Sequence, residues 1–233
     1  MADRREAITL GAGAAMAALF APLRAIAMST HTPVARLETG LFNFKDGTSA
    51  DKAAKVVATL KELVHASGAE ASLFGQNLDA TPFSTRFEWL YMIQHRRGEL
   101  SRFHDALAPW VKDRARCDLR CALPSNYGDA SGVKVRHVVM FSFKPEASRA
   151  DRDRNVDAIR EMGKLPMVQH YLVEPSATPA ADADQMQWQV VGDFASDADF
   201  RAYAEAPVHL AIREDFTAHT SRVAFLDVQV SPG

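Results

Sequence analysis

In the stretch VRHVVMFSFK, Val135 to Lys144, one side chain can take up and release a proton near neutral pH: His137. Free imidazole titrates near ~6.5, so it can serve as base or acid at physiological pH. Its neighbours are β-branched and aromatic and suit a buried strand. Alternate residues of a strand share a face, which puts His137 alongside Val135, Val139, Phe141 and Phe143. An imidazole among four large apolar side chains needs a hydrogen-bond partner or a cavity with water. Two readings are open. His137 is a core residue bonded to a backbone carbonyl, or it is an acid–base group at the wall of a pocket.

Other reactive side chains offer less. Cys117 and Cys121 are the two cysteines, too few for a disulfide-built scaffold. Four apart on a strand they share a face but sit roughly 13 Å apart, too far to bridge. No ligands cluster as a structural zinc site requires, so no metal and no cofactor are expected. His65, His170 and His219 lie near element ends and read as surface residues, and Trp89 and Trp188 read as core. The charge run QHRRGELSR, Gln94 to Arg102, reads as a solvated turn and helix start.

The 233 residues are 47% hydrophobic and 24% charged, with a formal net charge of -2. This is globular composition without the basic face that nucleic acid demands. The first residues stand apart. Arg4 and Arg5 precede a Gly/Ala-rich run from Ala7 to Ala21, then Ala25-Ile26-Ala27. That order is a charged region, an apolar region and a small-x-small cleavage pattern. The run is too short for a membrane span, which takes about 20 apolar residues. The paired arginines resemble a twin-arginine export signal, with Ala7-Ile8 in place of the usual Phe-Leu. Residues 1–27 are therefore expected to be a signal peptide and the protein to be periplasmic or otherwise exported. If Met28 is the true start, it is cytoplasmic.

The remaining chain repeats itself. Shifted by 99 residues, LFNFK (Leu41 to Lys45) falls on MFSFK (Met140 to Lys144), Ser49 on Ser148, Val57 on Val156, Leu73 on Leu172 and Trp89 on Trp188. One offset held over so many positions indicates two copies of a small domain. PSNYGDASG, Pro124 to Gly132, has the composition of the joint. Hydrophobic periodicity gives strands over 134–143, 167–173, 186–194 and 222–230 in the second copy. Ser148 and Ser196 are the expected helix caps, and Pro207 opens a further short helix. The first copy reads as strands over 37–44, 70–78, 86–94 and 116–123, with helices over 51–65 and 99–110. The order in each is β-α-β-β-α-β, a ferredoxin-like α+β arrangement.

VRHVVMFSFK, YAEAPVHLAI (Tyr203 to Ile212) and VAFLDVQV (Val223 to Val230) together resemble the Dabb family of stress-responsive dimeric α+β barrels. The likeness covers nearly all of the second copy, residues 133–231. The first copy, residues 36–124, shares mainly LFNFK. The resemblance implies two ferredoxin-like Dabb domains fused into one pseudo-dimeric α+β barrel within the chain. It also implies a set of site residues. Polyketide cyclases of the family place histidines at the positions of His137 and His209, and a tyrosine at that of Tyr203. Their pocket walls correspond to Val139, Phe141, Val156 and Ile159. The cyclases carry His-Pro-x-His, where this chain has Ala206-Pro207-Val208-His209.

Such a set suits proton abstraction next to a carbonyl, with a second donor steadying the enolate oxygen. The expected partner is a small apolar or aromatic molecule, handled by a cyclase, isomerase or lyase without a cofactor. The alternative is a non-catalytic barrel that binds a ligand or partner in the cell envelope. The first copy reads as degenerate. Glu38 stands where His137 does, and nothing there resembles Pro-x-His. Glu38 is expected to be a solvated strand end, because carboxylates are seldom buried unpaired. A different acid–base pair of Glu38 with His104 is the other possibility.

Overall fold

The computed structural model describes residues 36–78, 87–95, 100–120, 132–179 and 183–230. The expected signal peptide, most of the expected joint, part of the charge run and Cys121 lie outside them. The described residues all fall in one unit, Pro33–Gly233.

The first half runs β1 (Arg36–Phe44), α1 (Ala50–Ala66), β2 (Ala71–Gln76), β3 (Trp89–His95), α2 (Ser101–Leu107), a 3-10 turn (Ala108–Trp110) and β4 (Val111–Arg120). The second runs β5 (Val135–Phe143), α3 (Arg149–Met162), β6 (His170–Pro175), β7 (Trp188–Phe194), α4 (Asp197–Ala204), α5 (Pro207–His219) and β8 (Thr220–Gln229). Two antiparallel four-stranded sheets result, in the orders β2-β3-β1-β4 and β6-β7-β5-β8. This is the doubled β-α-β-β-α-β fold that the sequence pattern predicts. The expected starts shift by three or more residues in three strands. β3 begins at Trp89 and not at 86. β4 begins at Val111, straight after the 3-10 turn, and not at 116. β6 begins at His170 because 163–168 are taken up by turns after α3, where Gly163, Lys164, Leu165 and Val168 bond back to preceding carbonyls.

The repeat is kept bond for bond. Phe42 pairs with Trp89 and Phe141 with Trp188, the same register 99 residues on. Both central strands carry an irregularity at the same place, Asn43/Phe44 and Ser142/Phe143. Ser49, Ser148 and Ser196 each accept a hydrogen bond from the backbone N–H three residues on, satisfying a donor that the helix start leaves open.

Strand alternation then makes three apolar layers. Leu37, Leu41, Leu90 and Met92 of the first sheet meet Val138, Met140, Val191 and Leu226 of the second, forming the layer between the sheets. On the outer face of the first sheet, Phe42, Tyr91 and Ile93 pack against Val57, Leu60 and Val64 of α1 and Phe103 of α2. On the outer face of the second, Val135, Phe141 and Val190 pack against Val156 and Ile159 of α3 and Phe200 and Tyr203 of α4. Trp89 and Trp188 are half-buried at the edges of these outer layers. Among the described residues, no helix is long and apolar enough to cross a membrane.

Candidate active site

The outer face of the second sheet is not filled. A cavity of about 300 Å³ opens between β5, β7, β8 and the helices α3, α4 and α5. His137, Tyr203 and His209 all line it, with Val139, Phe141 and Ile159 along its walls. Val156, the fourth expected wall residue, packs in the core behind. The cavity also takes in residues that the sequence pattern did not single out, namely Tyr171, Phe200, Ile212, Arg213 and Phe216.

His137 sits on a strand flanked by β7 and β8, held from both sides. Its Nδ1 lies 2.5 Å from Oδ1 of Asp227, the residue directly across on β8. Neither reading of the sequence named this partner. The signal was present: in VAFLDVQV, Val223, Phe225 and Asp227 alternate on one face, and the first two line the cavity. Asp227 is 1% exposed and His137 9%. A carboxylate accepts, so the imidazole donates from Nδ1, and the lone pair of the neutral ring falls on Nε2, the edge away from Asp227.

Tyr203 comes from α4, one turn beyond Phe200, and both rings lie against His137, with centroids 6.0 and 5.5 Å away. Its hydroxyl is 2.9 Å from that of Tyr171 on β6. Burial pushes the Tyr203 phenol up to about 12, partly offset by the Tyr171 contact and reinforced by the charge of Asp227. Tyr171 is also held well above its usual value, chiefly by burial. Both phenols therefore stay protonated, and in their contact one donates while the other accepts.

Pro207 starts α5 and brings His209 to the cavity, its ring 4.8 Å from that of Tyr203. His209 Nδ1 donates to the carbonyl of Ala204 at 2.9 Å, which again leaves Nε2 as the bare nitrogen. Burial lowers the pKa of His209, and the charges of His137 and Arg213 lower it further against the pull of that carbonyl. Asn155 of α3 fastens α5 by donating to Asp215 at 3.0 Å.

In the first half, Glu38 is not a solvated strand end. Its side chain is 14% exposed. It accepts from the Tyr91 hydroxyl at 3.0 Å and lies 3.1 Å from His104 Nε2. Burial would raise its pKa, but the His104 and Tyr91 contacts and the charge of Arg116 hold it below the usual value. The expectation failed because it assumed an unpaired carboxylate, and the fold supplies two partners. His65 is exposed as expected, whereas His170 and His219 are half-buried beside Asp193 and Asp215. Cys117 is buried and free. Among the described residues no group of three or more His, Cys, Asp or Glu is placed to hold a metal ion.

Comparison with known proteins agrees with this architecture. Residues 135–230 match the Dabb family, the Stress responsive A/B Barrel Domain. An anthrone oxidase-like protein of known structure is similar over both halves, with 15% identity, a TM-score of 0.60, and coverage of 85% of this chain and 92% of that one. A Dabb family protein with a ferredoxin-like fold from Mesorhizobium loti is 23% identical over 43% of this chain and 99% of that one, with a TM-score of 0.37. Hydroxynitrile lyase from Passiflora edulis is 20% identical over 44% of this chain and 97% of that one, with a TM-score of 0.40. No curated protein matches the sequence. At such identities the likeness is one of fold, and function has to be argued from the site.

Proposed function

We propose that the cavity of the second half is the active site of a cofactor-free acid–base enzyme. Its reaction is of cyclase, isomerase or lyase type, on a small carbonyl or aromatic compound. The observation that carries this reading is the His137–Asp227 pair at the cavity wall. A histidine serving only to fill a core needs no buried carboxylate, whereas a general base gains from one that fixes its tautomer. In the proposed step, Nε2 of His137 takes a proton from the carbon next to a carbonyl. The C–H electron pair becomes the enolate, and the Tyr203 hydroxyl donates to the oxygen on which charge develops. Imidazolium formed at His137 is stabilised by Asp227 until the proton is returned. His209, kept neutral by burial, is a second acceptor at the same wall.

The test is His137→Ala and His209→Ala, each followed by ligand binding, turnover and melting temperature. Lost turnover of 10²–10⁴-fold with stability retained fits acid–base catalysis. Large loss of stability with unchanged binding sinks the pocket reading. A second reading, a non-catalytic ligand-binding barrel, draws support from the largely apolar walls and from the mutual hydrogen bond of Tyr171 and Tyr203. It predicts tight binding without conversion.

Export belongs to the same proposal and rests on the order of Arg4-Arg5, the Gly/Ala-rich run and Ala25-Ile26-Ala27. Replacing both arginines by lysine should hold the precursor in the cytoplasm. An uncleaved N-terminus on protein from the native host counts against it.

A further inference from the structure

One row of the second sheet reads Tyr171, Gly192, His137, Asp227, each directly across from the next on β6, β7, β5 and β8. The same row of the first sheet reads Ser72, Ile93, Glu38, Asp118. Residues paired across a sheet share a face, so all four of the second row stand on the face that carries the cavity. Gly192 leaves open the space over β7 that Ile93 fills over β3, and the Tyr171 ring lies in it. A Cβ added at Gly192 would come within 3.2 Å of that ring. Gly163, at the end of α3, closes on Tyr171 from another side, where an added Cβ would come within 2.8 Å. Its counterpart 99 residues earlier is Val64, buried in α1. Three positions thus differ together between the halves. The result is a phenol fixed at the cavity wall, its hydroxyl 2.9 Å from that of Tyr203.

We infer that Tyr171 is the positioning residue for the Tyr203 hydroxyl: it donates to the Tyr203 oxygen and so leaves the Tyr203 proton for the oxygen of a bound carbonyl compound. Two hydroxyls in contact share one hydrogen bond, and the opposite direction would commit the Tyr203 proton to Tyr171. The charge of Asp227, in the same row, separates the two. It acts on Tyr203. It favours the orientation in which that O–H turns toward the His137 wall and the oxygen lone pair turns toward Tyr171. A hydroxyl that accepts one hydrogen bond is polarised and donates another more strongly. Charge developing on the substrate oxygen is then shared by both phenols. The inference rests on the acid–base reading above and adds to it the group that sets the donor.

The test uses 2,4-pentanedione, a small diketone whose enolate absorbs in the near ultraviolet. In the cavity of the full chain its central carbon gives a proton to His137, so enolate should appear at lower pH than for the free compound. Tyr203→Phe should raise that midpoint. Tyr171→Phe should raise it by less, a few-fold to about tenfold in the ionisation constant, as one net hydrogen bond allows. Added to Tyr203→Phe, Tyr171→Phe should change nothing further, because it acts through the hydroxyl already removed, whereas a merely structural role would add. Toluene affinity and melting temperature show for each variant that the cavity is intact. An unchanged or lowered midpoint in Tyr171→Phe overturns the inference and leaves the acid–base reading standing. A wild-type protein that leaves the midpoint of the free compound unmoved removes both. If Tyr171→Phe does not fold, 3-fluorotyrosine at 171 keeps the ring and donates more strongly. A midpoint that fails to fall further then overturns the inference.

Discussion

Glu38 and His137 occupy one position of the repeat, and each is satisfied by what lies beside it. His137 meets Asp227, whereas Glu38 faces Asp118 in the same register and turns instead to Tyr91 and His104. Asp118 in turn bonds Arg36 and Thr178. The geometry predicts that neutral His137 and His209 both carry their proton on Nδ1, which nitrogen-detected NMR reads directly. Asp227→Asn keeps the shape but lets an amide donate to the ring, so the His137 tautomer should flip and turnover of a substrate fall by roughly 10²–10⁴-fold. The linkage for His209 has a definite sign. Its folded pKa lies below the ordinary ~6.5, so the unfolded chain binds the proton more readily. Stability should therefore drop as the pH falls below about 6.5 toward the folded value, and His209→Gln should flatten that part of the curve. Gly40 gives a third test. Gly40→Val drives a side chain into the immobile Tyr91 ring and should cost about 1–3 kcal/mol. Adding Tyr91→Val removes the clash, so in thermal unfolding the pair should be less destabilised than the sum of its members.

At the level of elements, one insertion separates the two sites. The shift from Arg36 to Val135 is 99, but that from their partners Arg120 to Gln229 is 109. The ten extra residues match the difference between α5, with 13, and the three-residue 3-10 turn in its place. α5 supplies His209, Ile212, Arg213, Phe216 and Thr217 to the cavity, yet none of its own residues is buried. Asn155 and Arg154 of α3 hold it through Asp215, and Lys144 holds its last turn through the carbonyls of Ala218 and His219, so Asp215→Ala, which removes the contacts to α3, should speed hydrogen exchange in α5 before the rest of the domain. The helices and strands themselves were legible from periodicity, caps and the single offset. So was the face that His137 shares with Val139 and Phe141, because alternation on a strand is fixed by its backbone. The pairing of Glu38 with His104 was offered as the second reading of that residue and is present, but Asp227, Tyr171 and the Tyr91 contact of Glu38 were not read, since each depends on which strand lies beside which. Register across chain-distant strands leaves no mark in a local pattern. Val156 faces the sheet in the same cluster as Ile159, as its helical stripe indicates, but does not line the cavity.

Across the whole molecule, each half finishes the other's sheet edge. The Leu78 N–H donates to the carbonyl of Asp227 on β8, and 99 residues on, the Ala177 N–H donates to that of Asp118 on β4. β4 and β8 are the edge strands of their sheets, and an uncovered edge invites pairing with other chains. The Asp227 that orients His137 thus sits on a strand steadied by the first half, which lends the cavity support although none of its described residues lines it. Between the sheets, Gln189 donates to Thr39 at 2.9 Å, both fully buried, so the interface fixes a register as well as covering apolar surface. Residues 133–231 produced alone would keep every residue that lines the cavity but expose Val138, Met140, Val191, Leu226 and Val228, and leave Gln189 without its partner. Such a contiguous apolar face is not stable in water as a monomer. The expected result is aggregation, or self-association that rebuilds a barrel from two second halves, with a concentration-dependent melting temperature. Sedimentation equilibrium checks this. A fragment that stays monomeric, melts cooperatively and binds ligand as the full chain does would show that the first half is dispensable, and the pseudo-dimer would lose its role in holding the site.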